Sequence, residues 1–232
     1  MTGVPVIIRE PDPQAVASSA AAHFAATVTA ALSERGAAHV ALAGGTTPAA
    51  TYRLLALTSW EGIELWFGDE RCVEPTDPES NYHMACADLL RHAPGAVVHR
   101  IEGELGAQAA ADAYEARLHA RFGGETPVLD LILLGIGEDG HTASLFPDNA
   151  ALGIEDRACV AVHDAPKPPP DRVSLSLPVL RAARSCVLLA TGNGKAAALA
   201  GALGTPSTHV PSSLLARERL TVIADTAALP LP

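Results

Sequence analysis

The segment VLDLILLGI (128–136) constrains the fold of this chain more than any other stretch. Its nearly continuous Val, Leu and Ile content is typical of a central parallel strand that is covered on both faces. Shorter strand-like runs and helical segments alternate before and after it. Repeated strand-then-helix units build a mostly parallel sheet with helices packed on it. The sequence therefore predicts an α/β fold, with a mostly parallel sheet flanked by helices on both faces.

The other elements follow from apolar runs and from helix start and stop signals. The first helix is predicted over 11–36, with Asp12 as its N-cap, Pro13 in its first turn and Gly36 as its stop. Further helices are predicted over 48–56, 81–90, 107–122 and 194–203. Further strands are predicted at HVALAGG, IELWFGDER, AVVHRI, CVAVH, RVSLSL, SCVLLATG and LTVIA.

Length, composition and charge limit the class of protein. The chain has 232 residues, of which 48% are apolar, so we expect one α/β domain over 1–232 with an ample core. The net charge of −10 argues against nucleic-acid binding, because phosphate backbones are bound by basic surfaces. An anionic substrate then has to be bound by a local positive cluster. The proline-rich stretch 164–172 is interpreted as a loop within the domain, with a linker as the alternative.

The cysteines and the N-terminus indicate the cellular compartment. The four cysteines have neither CxxC pairing nor metal-ligand spacing, so we expect reduced, mostly buried thiols, with two disulfides as the alternative. The start MTGVPVIIREPDP lacks the features of a secretory signal. No apolar run approaches the ~20 residues needed to cross a bilayer. The sequence predicts a soluble, cytoplasmic protein that has no membrane partner.

Polar and charged residues directly follow several of the predicted strands. Their position matters because ligands of open parallel sheets bind outside the carboxyl ends of the strands. After the first of these strands, Gly44, Gly45, Thr46 and Thr47 lead into a helix. Backbone N–H groups at such a turn bind an anion, assisted by the helix dipole. The motif is neither GxGxxG nor a P-loop, so it indicates neither a dinucleotide nor Mg-ATP. The alternative is a tight turn in which Thr47 caps the helix.

Charged residues end the strand IELWF. Asp69, Glu70 and Arg71 follow it directly, and either contact a ligand or form a solvated turn. Asn81 and Tyr82 come soon after, and either hold a polyhydroxylated ligand or cap a helix.

The central strand is followed by GEDGHTASLFP, in which Asp139 lies two residues before His141. At that spacing the carboxylate is close enough to orient the imidazole, and histidine is the usual general base near neutral pH. Gly135, Gly137 and Gly140 permit a compressed turn with positive φ. We therefore predict a catalytic pair here, with a structural histidine as the alternative.

The cations of the chain suggest where an anion binds. Only two lysines occur, Lys167 and Lys195. Lys195 is predicted in the first turn of a helix, where a cation is unfavourable, and this suggests an anionic partner or a salt bridge. Arg172 is a second candidate, since arginine suits bidentate contact with phosphate. Lys167 either adds a phosphate contact or is solvated.

Two kinds of site lack their sequence signature. There is no GxSxG nucleophile elbow for a serine acyl-enzyme mechanism. The nine histidines show no HxxxH or HxH spacing, so no metal site is indicated.

Taken together, these segments resemble the 6-phosphogluconolactonase family. The similar segments occur in the family's order and cover nearly the whole chain: LAGGTTP, WFGDER, SNY, LDLILLGIGEDGHTASLFP, RVSLSLPVL, TGNGK and PSSLL. The combination of GDER with GxGxDGHTASLFP is the specific part of the match. The resemblance implies a Rossmann-like sheet, often with a small antiparallel addition. It also implies hydrolysis of 6-phospho-D-glucono-1,5-lactone to 6-phospho-D-gluconate in the oxidative pentose phosphate pathway.

For this reaction we assign the candidate residues roles as a hypothesis. His141 would remove a proton from the attacking water while Asp139 stabilises the imidazolium. The phosphate of the sugar lactone would bind at 44–47, with Arg172 and Lys195 over it. Arg71 or nearby backbone N–H groups would stabilise the oxyanion, and Asp69 and Glu70 would hold Arg71 or contact sugar hydroxyls. No metal or organic cofactor is needed for this reaction.

Two other functions are considered. Glucosamine-6-phosphate deaminases share the Gly-Gly-Thr loop and the DGH motif, but usually end that loop with Asn-Glu-Pro and have a Met-Asp-Glu-Tyr-like turn. Here the equivalent residues are Leu145, Phe146 and Pro147, and the turn is GDER (68–71), which disfavours a deaminase or an isomerase. A non-catalytic sugar-phosphate sensor is the other alternative. The sequence is compatible with a monomer or a small homo-oligomer.

Overall fold

The computed structural model describes residues 3–229, which form two β-sheets and the helices around them. The strands are β1 (Val6–Glu10), β2 (Ala38–Leu42), β3 (Ile63–Phe67), β4 (Asp69–Arg71), β5 (Val97–Val98), β6 (Leu131–Gly135), β7 (Cys159–Val162), β8 (Arg172–Leu175), β9 (Cys186–Ala190) and β10 (Leu220–Asp225). The α-helices are α1 (Pro13–Arg35), α2 (Thr46–Arg53), α3 (Asn81–Asp88), α4 (Ala107–Phe122), α5 (Leu177–Ala182) and α6 (Ala196–Leu203).

The larger sheet is parallel throughout, with the strand order β1-β10-β9-β6-β2-β3-β5. The chain winds outward from the centre in both directions, because β2 leads to β3 and β5 while β6 leads to β9 and β10. The direction of winding therefore switches between β2 and β6. In open sheets of this kind, the crevice at the carboxyl ends of the strands beside the switch point is the ligand site.

The central strands are buried on both faces, as the sequence predicts. Every residue of β9 and β10, and 131–134 in β6, is buried. Because successive side chains of a strand point to opposite faces, both faces of the sheet must be covered. Helices α1 and α2 contact each other and the sheet. In α4, Tyr114 and Phe122 pack against Trp66 of β3.

Helix α1 has the caps predicted from the sequence. The Asp12 side chain accepts a hydrogen bond from the N–H of Ala15, Pro13 is the first helical residue, and Gly36 ends the helix in the left-handed conformation. By length and composition, α1 is the one helix in 3–229 that is suited to crossing a bilayer. It packs on the sheet instead, through seven buried side chains: Val16, Ala17, Ala20, Ala21, Phe24, Val28 and Ala31.

Three predicted strands differ from those observed. IELWFGDER divides at Gly68 into β3 of the larger sheet and β4 of the smaller one, because the Gly68 N–H donates to Leu42 while its carbonyl accepts from Leu175. The strand predicted at RVSLSL ends at Leu175, and the last residue of that segment, Leu177, is the first residue of α5. AVVHRI contributes only the two residues of β5, an edge strand whose side chains are exposed. Strand β1, which the sequence analysis missed, is the opposite edge of the sheet.

The smaller sheet is antiparallel, in the order β4-β8-β7, and matches the addition that the family resemblance implies. The proline-rich stretch 164–172 joins β7 to β8, so it is a loop and the linker alternative is wrong. All four cysteines are free thiols, with Cys159 and Cys186 buried and the other two partly buried.

Candidate active site

A cleft of about 380 Å³ lies at the carboxyl ends of the parallel strands, beside the switch point between β2 and β6. Its lining includes most of the residues that the sequence singled out: Gly44, Gly45, Thr46, Thr47, Asp69, Arg71, His141, Arg172 and Lys195. Asp139 does not line the cleft, but its carboxylate is hydrogen-bonded to the imidazole of His141. The topology thus brings residues from five distant segments into one site.

The turn between β2 and α2 presents backbone donors to the cleft. Gly45 is the N-cap of α2, with φ at +103°, so this position favours glycine. The Thr47 hydroxyl does not cap the helix but lies 2.9 Å from the hydroxyl of Thr191. As the first residues of α2, Thr46 and Thr47 have N–H groups without an acceptor inside the helix. Together with the helix dipole, these donors suit an anion.

Gly44 is required by a close approach. A Cβ atom at this position would lie 2.0 Å from Oδ1 of Asn81, which is buried at the start of α3. Asn81 donates its side-chain N–H to the carbonyl and to the carboxylate of Asp69. Asn81 therefore fixes Asp69 at the cleft. Tyr82 is not among the lining residues; it packs against Phe67 instead.

His141 and Asp139 form a close pair. Nδ1 of His141 lies 2.5 Å from Oδ1 of Asp139, and the backbone N–H of His141 donates to the same oxygen at 3.2 Å. The ring of His141 packs at 4.3 Å from that of Phe146. The His141 side chain is 18% exposed, so it is sheltered but reachable from the cleft. With Nδ1 occupied by the carboxylate, Nε2 is the nitrogen available for a ligand.

Two opposing effects set the protonation of this pair. Burial lowers the pKa of His141 below its ordinary value and outweighs the negative charge of Asp139, which raises it. Burial raises the pKa of Asp139, but the charge and hydrogen bonds of His141 outweigh burial and make the net shift downward. The pair is thus an ionised carboxylate beside a neutral imidazole at neutral pH, which is the state that a general base needs.

Asp69 and Glu70 have different environments. Asp69 faces the cleft and accepts a hydrogen bond from the hydroxyl of Ser144 at 2.6 Å. Glu70 is buried away from the cleft and accepts from the backbone N–H groups of Arg71, Asn81 and Tyr82. Burial raises the pKa of Glu70. Glu70 therefore binds the start of α3, whereas Asp69 remains available to a ligand.

Two arginines face each other across the smaller sheet. Arg71 of β4 pairs directly with Arg172 of β8, and like charges in that position repel. Burial lowers the pKa of Arg172, and the charge of Arg71 lowers it further. Within residues 3–229, the buried Nε of Arg71 has no hydrogen-bond partner. A bound anion would offset the repulsion and accept from these donors.

Neither lysine of the chain is neutralised. Lys167 and Lys195 both line the cleft, and neither side chain has a hydrogen bond or an ion pair with the described part of the chain. Lys195 ends a 3₁₀ turn (Asn193–Lys195) that runs directly into α6, so the predicted helix begins slightly later than expected. The start of this turn is fixed by the N–H of Gly192, which donates to the carboxylate of Asp225. The salt-bridge alternative for Lys195 is thus absent from residues 3–229.

A larger depression of about 1130 Å³ lies at the other end of the sheet, near the amino ends of the strands. Its four arginines are bound to protein groups: Arg35 and Arg184 to Asp130, and Arg181 and Arg219 to backbone carbonyls. None of its described lining residues is a histidine, so they form no pair comparable to His141 and Asp139. The smaller cleft is therefore the better candidate for an active site.

Comparison with known proteins identifies the family. A family model described as glucosamine-6-phosphate isomerases/6-phosphogluconolactonase matches residues 11–224. The chain belongs to this family. A 6-phosphogluconolactonase of Streptomyces coelicolor is 36% identical over 98% of this chain and 95% of that protein. One of Mycobacterium tuberculosis is 39% identical over 84% of each chain.

Solved structures agree with this assignment. The structure of a 6-phosphogluconolactonase from Trypanosoma cruzi aligns with a TM-score of 0.88 and 29% sequence identity. The alignment covers all of this chain and 99% of that one. A monomeric glucosamine-6-phosphate deaminase has a TM-score of 0.82 over 98% of this chain and all of its own, at 23% identity. At that identity the deaminase shows a shared fold alone.

The sequence analysis missed several contributors to the cleft, among them Thr191 and Phe146. Thr191 follows β9 and lines the cleft beside Thr47. The same rule that led to Lys195, polar residues at a strand end, applies to it. Phe146 supports both His141 and Arg172, whose guanidinium lies 5.3 Å from the ring. A phenylalanine in sequence shows only apolarity, so no signal pointed to this second contact.

Proposed function

We propose that this chain hydrolyses 6-phospho-D-glucono-1,5-lactone to 6-phospho-D-gluconate in the cytoplasm, as a step of the oxidative pentose phosphate pathway. One observation carries the proposal: His141, paired with Asp139, lines the same cleft as the 44–47 turn and four cations. A base and an anion site in one small cleft suit a substrate with an ester at one end and a phosphate at the other. Relatives that match over most of their length are named 6-phosphogluconolactonase.

Substrate binding begins with the phosphate. It lies at the N-terminus of α2, where the N–H groups of Thr46 and Thr47 donate to its oxygens. Arg172 and Lys195 add positive charge from the other side of the cleft. Fixing this remote group holds the lactone carbonyl near His141 and converts the attack into an effectively unimolecular step. Asp69 accepts hydrogen bonds from sugar hydroxyls.

The chemical step is general-base catalysis. Nε2 of His141 takes a proton from water as the water oxygen bonds to C1 of the lactone. Asp139 stabilises the imidazolium that results. The tetrahedral intermediate then collapses, the C1–ring oxygen bond breaks, and His141 returns the proton to that oxygen. Proton transfer of this kind contributes about 10²–10⁴-fold to the rate.

The negative charge on the carbonyl oxygen needs donors. Arg71 is one candidate, because its Nε has no partner in residues 3–229 and the residue lines the cleft. Backbone N–H groups near His141 are the other. A donor aimed at the oxyanion is worth about 3 kcal/mol of barrier. No step of this proposed reaction requires a metal or an organic cofactor.

The loop after His141 argues against amine loss from a sugar phosphate. Where the deaminases usually place a glutamate, this chain has Phe146, flanked by Leu145 and Pro147. Leu145 and Phe146 are buried apolar residues. A carboxylate that takes part in ring opening is therefore missing from that position.

The decisive experiment is a coupled assay on freshly prepared 6-phosphogluconolactone, corrected for its spontaneous opening. We expect rapid turnover by the wild type and a loss of about 10²–10⁴-fold in kcat for His141→Ala. His92→Ala, at an exposed position outside the cleft, is the matched control and should retain full activity. Unchanged turnover in His141→Ala would refute the base assignment. Ammonia release from glucosamine 6-phosphate in place of lactone turnover would refute the function.

A further inference from the structure

We infer that Lys167 is a third cation of the phosphate site, and that Arg172 holds it there through the backbone of the 164–172 loop. The inference rests on the proposed function and extends it to a residue that the sequence left open. Lys167 lies between β7 and β8, on the side of the cleft formed by the smaller sheet.

The backbone of Lys167 is held by a buried side chain. Arg172 is buried, and its Nη2 donates to the carbonyl of Lys167 at 2.9 Å while its Nε donates to that of Pro169 at 3.0 Å. Across the loop, the N–H of Ala165 donates to the carbonyl of Pro170 at 2.9 Å. Prolines at 168–170 further restrict the chain. The loop is therefore ordered where a solvated linker would not be.

The side chain of Lys167 is unpaired within residues 3–229, whereas its backbone is held in place. Its side chain has no hydrogen bond or ion pair in the described part of the chain, although the protein has an excess of ten negative charges. Exposed lysines are usually solvated, and exposure alone would mean nothing. This lysine, however, shares a single cleft with Arg71, Arg172 and Lys195. Lys167, Arg172 and Lys195 face one cleft and neither lysine has a carboxylate partner among the described residues, which indicates a dianion between these three cations.

Arg172 serves two purposes in this arrangement. One edge of its guanidinium binds the carbonyls of the loop, whereas Nη1 has no hydrogen bond within residues 3–229 and remains for the phosphate. Loss of Arg172 should therefore remove its own contact and also release Lys167. Lys167 is a substrate-binding residue here, and Arg172 is in addition its positioning residue.

The test compares kcat/KM for 6-phosphogluconolactone with kcat/KM for the unphosphorylated glucono-1,5-lactone. Lys167→Ala should lower the ratio of these two constants about tenfold, as expected for loss of a charge-assisted contact with phosphate, and mainly through KM. Lys167→Arg should restore most of the ratio. Arg91→Ala, which removes an exposed positive charge far along the sequence from the loop, is the control for net charge and should leave the ratio unchanged.

A double-mutant comparison tests the positioning role. In an Arg172→Gln background, Lys167→Ala should change the ratio by less than about twofold, because the lysine is already released. A full effect in that background would refute the coupling. An unchanged ratio in Lys167→Ala alone would refute the binding role. Absence of any lactone turnover by the wild type would instead count against the proposed function. In that case calorimetry would still test Lys167, by comparing the binding of 6-phosphogluconate to the wild type and to Lys167→Ala. Equal affinities would refute the binding role of Lys167.

Discussion

Gly137 leaves the space in which Nδ1 of His141 meets its carboxylate. A Cβ atom on Gly137 would lie 2.0 Å from Nδ1 of His141 and 2.3 Å from Oδ1 of Asp139. Both atoms are ends of side chains, and they can move away without disturbing the backbone. The absence of a side chain at this position is thus a condition for the pair itself, more than for the fold.

Gly137→Ala should therefore fold and fail to catalyse. We expect a loss of about 10²-fold or more in kcat, because the methyl group separates the base from its carboxylate. Thermal unfolding of the variant should remain close to that of the wild type. Gly153→Ala, where a Cβ meets nothing within 4 Å, is the matched control and should keep full activity. A Gly137→Ala enzyme with normal kcat would show that the pair is not needed.

The pH dependence of the reaction should report His141. A base must be deprotonated, so kcat/KM should rise with pH through the pKa of His141, which burial lowers below the ordinary value of about 6.5. The carboxylate of Asp139 raises the pKa of His141, so Asp139→Asn should lower it further. The acid limb of the profile should then move to lower pH while the plateau falls, because the imidazolium has lost its partner. A limb that moves to higher pH would contradict this electrostatic role.

Lys195 should act on binding more than on chemistry. It reaches the cleft from the turn before α6 and has no partner among the described residues. We expect Lys195→Ala to raise KM for the phosphorylated lactone about tenfold and to change kcat little. Inhibition by inorganic phosphate should weaken in parallel. A variant that loses kcat with an unchanged KM would place Lys195 at the reacting carbonyl instead.

Local signals predicted most of the fold. The caps of α1 at Asp12 and Gly36 and the bounds of α4 follow from the residues themselves. The buried strands β6, β9 and β10 follow from their apolar runs. Where a run passes from one sheet to the other, as at Gly68, no local pattern marks the change, because it depends on hydrogen bonds with Leu42 and Leu175, which are distant in sequence. The edge strands were predicted less well for a related reason: β1 was missed and β5 is shorter than AVVHRI, because partly or fully exposed side chains give no core pattern.

The candidate site was predictable to a similar degree. Strand ends pointed to the 44–47 turn, to His141 and to Lys195, and the structure places them in one cleft. The distinction between Asp69 and Glu70 was not predictable, because adjacent residues of a strand point to opposite sides and the sequence does not say which side is the cleft. The contacts of Arg172 with the loop carbonyls also depend on a conformation that its neighbours do not determine.

Glu70 should contribute to the stability of the fold and not to catalysis. Oε1 of its buried carboxylate accepts the N–H groups of Arg71 and Asn81, and Oε2 accepts that of Tyr82 and the hydroxyl of Ser80. In Glu70→Gln, one oxygen becomes an NH₂ group; even at the Oε2 position, where the Ser80 hydroxyl can rotate to accept from it, the N–H of Tyr82 loses its acceptor. We expect a loss of about 2 kcal/mol in the free energy of unfolding, measured with urea. Glu74→Gln, at an exposed position nearby, should change the stability little. If Glu70→Gln instead kept its stability and lost its activity, the carboxylate would belong to the chemistry and not to the start of α3.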